Sequence, residues 1–115
     1  MMLMLSGYKE LEQYIVEDFD EFLDEGLSLS QVTEKLLVEY HRGIVNSNVE
    51  KLVIYLTISL LCLQKSYLRE DVKNELNNMI SDISLIPLKE ELEAEDIKKI
   101  LQDIEQYKGH LGHIL

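Results

Sequence analysis

The stretch LVIYLTISLLCL, Leu52 to Leu63, decides the fold because its twelve residues are apolar on nearly every side of a helix. A helix that is apolar all round must pack against several neighbours, so this segment predicts the centre of a helical bundle. It is too short to cross a bilayer, which takes about 20 apolar residues. We therefore expect one all-α domain over residues 1–115, a compact bundle of about five helices around this hydrophobic third helix.

The segment upstream of this run repeats apolar residues at steps of three and four, as an amphipathic helix does. The pattern predicts a first helix from about Gly7 to Glu25, with Ser6 as its N-cap and Gly26 as a left-handed C-cap. The apolar stripe of this helix consists of Tyr8, Leu11, Ile15, Phe19, Phe22 and Leu23.

A second helix is predicted to begin at Ser28, because Ser28 and Gln31 have the spacing of a capping box. The buried face of this helix is predicted to consist of Leu29, Val32, Leu36, Leu37 and Tyr40. The segment HRGIVN, residues 41–46, is predicted to be a loop in which Gly43 ends the helical pattern.

Ser47 and Glu50 repeat the capping-box spacing and predict the start of the central helix. Downstream of that helix, apolar residues at helical spacing from Val72 to Ile83 predict a fourth helix. A last helix is predicted through Ile97 to Tyr107, and Gly109 is expected to close it.

The charge balance narrows the classes of partner. The formal net charge is −11, which argues against direct binding to nucleic acid or to an anionic membrane. It favours a monomer, or a protein bound to a partner, over a homodimer. The single cysteine, Cys62, lies in the most apolar stretch, so we expect a buried thiol in a reducing, cytoplasmic compartment. The N-terminal MMLMLS is too short for a signal peptide.

The usual signatures of catalysis are missing from the sequence. It contains no Gly-rich phosphate loop and no Glu-x-x-His pair of the kind that builds di-iron sites. His110 and His113 are separated by Gly112 and no cysteine lies near them, so a flexible tail is favoured over a metal site. His41 lies in the predicted loop, where no nucleophile accompanies it. We therefore expect no enzyme, no catalytic residues, no metal and no cofactor.

The run EDFDEFLDEG, Glu17 to Gly26, contains six carboxylates and no lysine or arginine. Residues 1–25 carry eight acids and one lysine, a net charge of −7. At 100° per residue seven of these acids lie opposite the apolar stripe, and Tyr14 lies among them. They are Glu10, Glu17, Asp18, Asp20, Glu21, Asp24 and Glu25. This arrangement is typical either of a solvated surface or of a face that binds a basic partner around an aromatic anchor. A second acidic cluster, Glu90 to Asp96, extends the same field if the last helix packs beside the first.

The run from Tyr8 to Leu61, YKELEQYIVEDFDEFLDEGLSLSQVTEKLLVEYHRGIVNSNVEKLVIYLTISLL, resembles the small all-helical immunity proteins of bacterial polymorphic toxin systems. The resemblance consists of an acidic amphipathic helix, the EGLS turn, a short helix ending in EYH and a hydrophobic helix. It covers about the first two-thirds of the chain.

The resemblance implies a stoichiometric inhibitor that binds the toxic domain of a cognate toxin in the cytoplasm. Many such toxins are nucleases with basic clefts, which an acidic surface would complement. On this hypothesis the interface is predicted to consist of Glu10, Tyr14, Glu17, Asp18, Glu21, Asp24 and Glu25. The alternative is a helical regulatory or scaffold module without a toxin partner, which would form a homodimer if the third helix left an apolar patch exposed.

Overall fold

The structure, a computed structural model, describes residues 2–81 and 94–114, with side-chain surroundings over residues 10–81 and 97–110. Within these ranges every regular element is an α-helix, so the prediction of an all-α fold is confirmed. The six helices are α1 (Met2–Asp24), α2 (Leu29–Glu39), α3 (His41–Asn46), α4 (Asn48–Leu63), α5 (Glu70–Ser81) and α6 (Ala94–Ile114).

The apolar run occupies the centre of the fold, as predicted. It forms α4, which contacts every other described helix, most extensively α1, α3 and α6. The buried side chains of α4 are Val49, Leu52, Val53, Ile54, Leu56, Thr57, Ile58, Ser59, Cys62 and Leu63. They point to all sides of the helix, so neighbours must cover it all round.

The central helix is the fourth rather than the third, because HRGIVN forms the short helix α3 instead of the predicted loop. The reason is a close approach to α4. A Cβ atom added to Gly43 would lie 2.6 Å from Glu50 Oε2 and 3.2 Å from Ile54 Cδ1. Gly43 therefore lets α3 pack against α4, and the prediction that it ends the helical pattern is wrong.

Two buried clusters lie on opposite sides of α4. One joins α1 and α2 to α4 and consists of Ile15, Phe19, Val32, Leu36, Ile54, Ile58 and Cys62. The other joins α5 and α6 to α4 and consists of Val49, Leu52, Val53, Leu56, Leu63, Leu76, Ile100, Ile104 and Tyr107. Tyr107 is fully buried, and its hydroxyl donates a 2.9 Å hydrogen bond to Asn77 Oδ1. The two clusters thus share one helix as a common wall.

The turn between α1 and α2 follows the sequence signals closely. Gly26 has a φ of +92°, and Leu27 N–H donates to the Phe22 carbonyl at 3.3 Å, which closes a Schellman motif. Ser28 then caps α2: Ser28 Oγ accepts from Gln31 N–H at 3.2 Å, and Gln31 Oε1 accepts from Ser28 N–H at 2.9 Å. The predicted left-handed cap and capping box are both confirmed.

The ends of the other helices agree less well with the predictions. The cap of α4 is half a box: Ser47 Oγ accepts from Glu50 N–H, while Ser47 N–H donates to the Gly43 carbonyl. The first helix begins at Met2 rather than after Ser6, because methionine and leucine favour helix more than a single serine favours a cap.

The last helix runs from Ala94 to Ile114, so the prediction that Gly109 closes it is wrong. A Cβ at Gly109 would meet nothing within 4 Å, and an exposed glycine within a helix costs only about 1 kcal/mol. The predictions for Ile83 and for residues 82–93 lie outside the described residues. In the described stretches no helix combines the length and the apolar character needed to cross a membrane.

Candidate functional site

The seven side chains predicted as an interface lie on the side of α1 that faces away from α4, and we call them the acidic face. Ile15 and Phe19 are buried against α4 and α2, and this fixes the rotation of α1. Glu21 and Glu25 follow Tyr14 at steps of seven and eleven residues, so they lie almost in line with it. The exposed members of the face are Glu10, Tyr14, Glu17, Glu21, Asp24 and Glu25.

Tyr14 is the aromatic member of the acidic face, and 54 % of its surface is exposed. A large aromatic side chain held among carboxylates has the character of an interface anchor, since it offers apolar area and a polar hydroxyl together. One turn later Glu17 is oriented by Gln13, whose Nε2 donates to Glu17 Oε2 at 3.0 Å. The structure brings these side chains to one surface but contains no partner, so their role stays a prediction.

Asp18 differs from the other members of the face because it is partly buried by the end of α2. The Tyr40 hydroxyl donates a 2.7 Å hydrogen bond to Asp18 Oδ2. The carboxyl of Glu39 lies beside Asp18 and, when protonated, can donate a hydrogen bond to it. Two acids from different helices therefore meet at this point, and the acidic face continues from α1 onto the end of α2.

The meeting of the two acids changes the protonation of Glu39. Burial, the hydrogen bond to Asp18 and the negative charges of Asp18 and Glu21 raise the pKa of Glu39 from 4.5 to about 6. Lys35 opposes this shift, but its ammonium group also lies over the Phe22 ring, 4.7 Å from the ring centroid. Burial and the Asp18 carboxylate likewise raise the pKa of Tyr40, so its hydroxyl stays a donor at neutral pH.

Glu39 was missed by the sequence reasoning. Its contact with Asp18 crosses from one helix to another, and no spacing within a single helix reports such a contact. The one usable signal was the position of Glu39 and Tyr40 at the end of the second helix, opposite the C-terminal half of the first in a two-helix hairpin.

The opposite side of α1 has a different electrostatic character. Glu12 lies about 160° around the helix from Tyr14. It forms an ion pair with Lys99 of α6, in which Lys99 Nζ lies 3.2 Å from Glu12 Oε2. Lys99 also contacts Asp103 at 2.8 Å. Helix α6 therefore approaches α1 on the side away from Tyr14. The acidic side chains of residues 90–96, predicted to extend the field, lie outside the described residues.

Other candidate groups contribute little chemistry in the described part of the chain. Burial raises the pKa of the Cys62 thiol, whose Sγ lies 3.6 Å from Thr33 Oγ1. His41 is exposed in the first turn of α3. An open depression of about 500 Å³ on α6 is lined by one helix alone, between Ile97 and Glu105. Within the described residues, no three metal-ligating side chains converge.

Comparison with protein families identifies the chain. The sequence model of the family "Immunity protein Imm3" matches residues 4–114, almost the whole length. Comparisons with curated proteins and with solved structures give no match. The chain therefore belongs to the Imm3 immunity protein family, and the resemblance to immunity proteins is confirmed.

Proposed function

We propose that this member of the Imm3 family binds and neutralises the toxic domain of a cognate bacterial toxin in the cytoplasm, through the acidic face and without catalysis. The observation that carries the proposal is the meeting of Asp18 and Glu39. Two carboxylates held together at the surface destabilise the free protein at neutral pH and gain most from a basic group supplied by a partner.

The other acids that join helices support this interpretation. Glu75 is paired with Lys51, Glu12 with Lys99, and Glu34 with Arg69. In these contacts between helices, each acid is thus paired with a lysine or arginine of the same chain. The acidic face, in contrast, concentrates negative charge on a surface that the packing of α1 does not require, which suits recognition by a partner.

The charge of the face defines the kind of toxin surface that fits it. A row of carboxylates attracts a basic surface over distances up to the Debye length, about 8 Å at physiological salt, and so speeds association. A toxic domain with a basic cleft, such as a nuclease, has this property. Nucleic acid itself is disfavoured as a direct ligand, because its phosphates would face the same carboxylates.

The proposal is tested by charge reversal with a matched control. Glu17→Lys with Glu21→Lys changes the charge of the acidic face, whereas Glu70→Lys with Glu105→Lys makes the same change at exposed acids of α5 and α6. The purified toxic domain encoded beside this chain is titrated at low and at moderate salt. We expect association with the first variant to be about tenfold slower at low salt than with the second.

The wild-type protein should form a one-to-one complex whose affinity falls as salt is raised. If it does not bind the toxic domain, the immunity function is wrong for that pair. If it binds but both double variants lose affinity equally, net charge matters and the acidic face has no special role.

The scaffold alternative depended on an apolar patch exposed by the central helix. In the structure the apolar side chains of α4 are buried or half-buried beneath its neighbours, so that helix offers no such patch. We propose a monomer for the free protein. Sedimentation over a range of concentrations tests this, since a homodimer would favour the scaffold function over the immunity function.

A further inference from the structure

Tyr40 lies at the point where α1, α2 and α3 meet. It is the C-cap of α2 and the N-cap of α3, with a φ of −99° and a ψ of 16°. Its N–H donates to the Leu36 carbonyl at 2.9 Å, and its carbonyl accepts from Ile44 N–H at 3.2 Å. The ring packs against the buried cluster that joins α1 and α2 to α4. Because the backbone groups and the ring are both held, the position of the hydroxyl is held as well.

The hydroxyl of Tyr40 reaches across to α1, where it donates a 2.7 Å hydrogen bond to Asp18 Oδ2. A hydrogen bond from a hydroxyl to a carboxylate is shorter and stronger than one between neutral groups, and this bond has the expected length. The orientation of the Asp18 carboxylate is therefore set from another helix.

An acid that is oriented before binding loses less freedom when a partner arrives. An exposed aspartate or glutamate samples several rotamers, and a partner that binds it has to fix one of them. The hydrogen bond from Tyr40 restricts Asp18 during folding instead, so this loss does not oppose binding. Gln13 contacts Glu17 at 3.0 Å in a similar way, but both of these side chains are exposed on one helix, which restricts them less.

We propose that Tyr40 is a positioning residue for toxin binding, whose hydroxyl holds the Asp18 carboxylate in the orientation that accepts a lysine or arginine side chain of the toxic domain. The inference rests on the immunity function proposed above. A carboxylate offers about four acceptor sites, so the bond from Tyr40 leaves room for a second donor. Asp18 is only partly buried, so a side chain of the partner reaches it.

The test is Tyr40→Phe, which removes the hydroxyl and leaves the net charge at −11. Both rate constants for the purified toxic domain are measured by surface plasmon resonance. Attraction over distance depends on charge, so the association rate should stay within about twofold of the wild-type rate. The loss of orientation weakens the contact itself, so we expect the complex to dissociate about fivefold faster.

Tyr107→Phe is the matched control. It also removes a tyrosine hydroxyl that joins two helices, since the Tyr107 hydroxyl donates to Asn77 Oδ1 at 2.9 Å. Tyr107 belongs to the buried cluster on the other side of α4, away from the acidic face. This variant should leave both rates for the toxic domain unchanged.

A double-mutant cycle shows whether Tyr40 acts through Asp18. In protein that carries Asp18→Ala, the further change Tyr40→Phe should leave the dissociation rate unchanged, because the carboxylate that it orients is absent. A fivefold effect in both backgrounds would contradict the proposal. Circular dichroism and urea unfolding check that each variant is folded under the conditions of the binding measurement.

The outcomes separate the two proposals. Wild-type protein that binds the toxic domain, together with a Tyr40→Phe variant that dissociates at the wild-type rate, would overturn the role of Tyr40 and leave the immunity function standing. Wild-type protein that fails to bind would overturn both. Equally faster dissociation of the Tyr40→Phe and Tyr107→Phe variants would assign the effect to a general loss of fold stability, which also contradicts the proposal.

Discussion

Helix α2 meets its neighbours at two clusters of charge that are built in opposite ways. Toward its start, Arg69 binds Glu34 at 2.9 Å and Asp71 at 2.6 Å, and Nη1 of Arg69 donates to the Ser30 carbonyl at 3.3 Å. We call this the arginine corner. At the other end of α2, Asp18 and Glu39 meet with a tyrosine hydroxyl between the helices.

The pKa shifts of the acids in the two clusters are opposite in direction. The guanidinium of Arg69 lowers the pKa of Asp71, so ionisation there stabilises the folded state. Burial and Asp18 raise the pKa of Glu39, so ionisation there destabilises it. This chain therefore balances the charges that hold its helices together and leaves unbalanced the charges that we assign to binding.

The largest effect is expected at the arginine corner. Arg69→Met keeps the apolar stem and removes a forked cation, so the free energy of unfolding at pH 7 should fall by about 1–2 kcal/mol. The measurement is a urea titration followed by circular dichroism. Lys65→Met, which removes an exposed cation near the end of α4, is the matched control and should change the free energy by less than about 0.5 kcal/mol.

Affinity for the toxic domain is the second measurement to make on the Arg69→Met variant. Arg69→Met should leave affinity for the toxic domain unchanged, because its partners Glu34 and Asp71 lie outside the acidic face. An equal loss of stability in both lysine and arginine variants would show that the geometry of the corner contributes nothing.

A smaller effect of opposite sign is expected from Glu39→Gln. Because the pKa of Glu39 is about 6 in the folded state and 4.5 in the reference state, its contribution to stability is present below pH 4.5 and lost as pH rises through 6. Glutamine does not ionise, so the variant should unfold with about 1 kcal/mol more free energy at pH 7, after allowance for the exposure of the site.

The measurement for Glu39→Gln is the free energy of unfolding at several pH values between 4 and 7. The gain over wild type should vanish near pH 4, where Glu39 is already protonated. Glu25→Gln, at an exposed acid of the same face, is the matched control. A constant difference at all pH values would mean that the titration of Glu39 is not its source.

The smallest effect is expected at Ser66, in the turn that follows α4 and precedes the arginine corner. The α4 end repeats the Schellman hydrogen bonds of the α1 end, but Ser66 takes the left-handed position, with a φ of 57°, where α1 has Gly26. Ser66→Gly should therefore raise the free energy of unfolding by about 0.5 kcal/mol, since glycine adopts this conformation without steric cost. Thermal unfolding followed by circular dichroism detects it, and an unchanged or lower midpoint would contradict the assignment of strain to Ser66.

Local signals predicted much of this fold. Three features could be predicted from a few neighbouring residues each. They are the central helix from the apolar run Leu52 to Leu63, the capping box at Ser28 and the left-handed cap at Gly26. The conformation of residues 41–46 was not predictable in the same way, because it depends on how closely Gly43 approaches α4.

The candidate site was also predictable only where local spacing was enough. Helical spacing was enough to expect Tyr14 and Glu21 on one exposed face of α1. The contribution of Glu39 depends on how α2 packs beside α1, and a single sequence contains no measure of that packing.

The position of α4 as the wall shared by both buried clusters has a consequence for synthesis on the ribosome. Ile15 and Phe19 emerge early, yet the residues that bury them, such as Ile54 and Ile58, are made later in the chain. Until then the nascent first helix displays its apolar stripe. The net charge of −7 on residues 1–25 gives neighbouring nascent copies a mutual repulsion during this interval, so the same carboxylates that we assign to toxin binding also oppose association of unfinished chains.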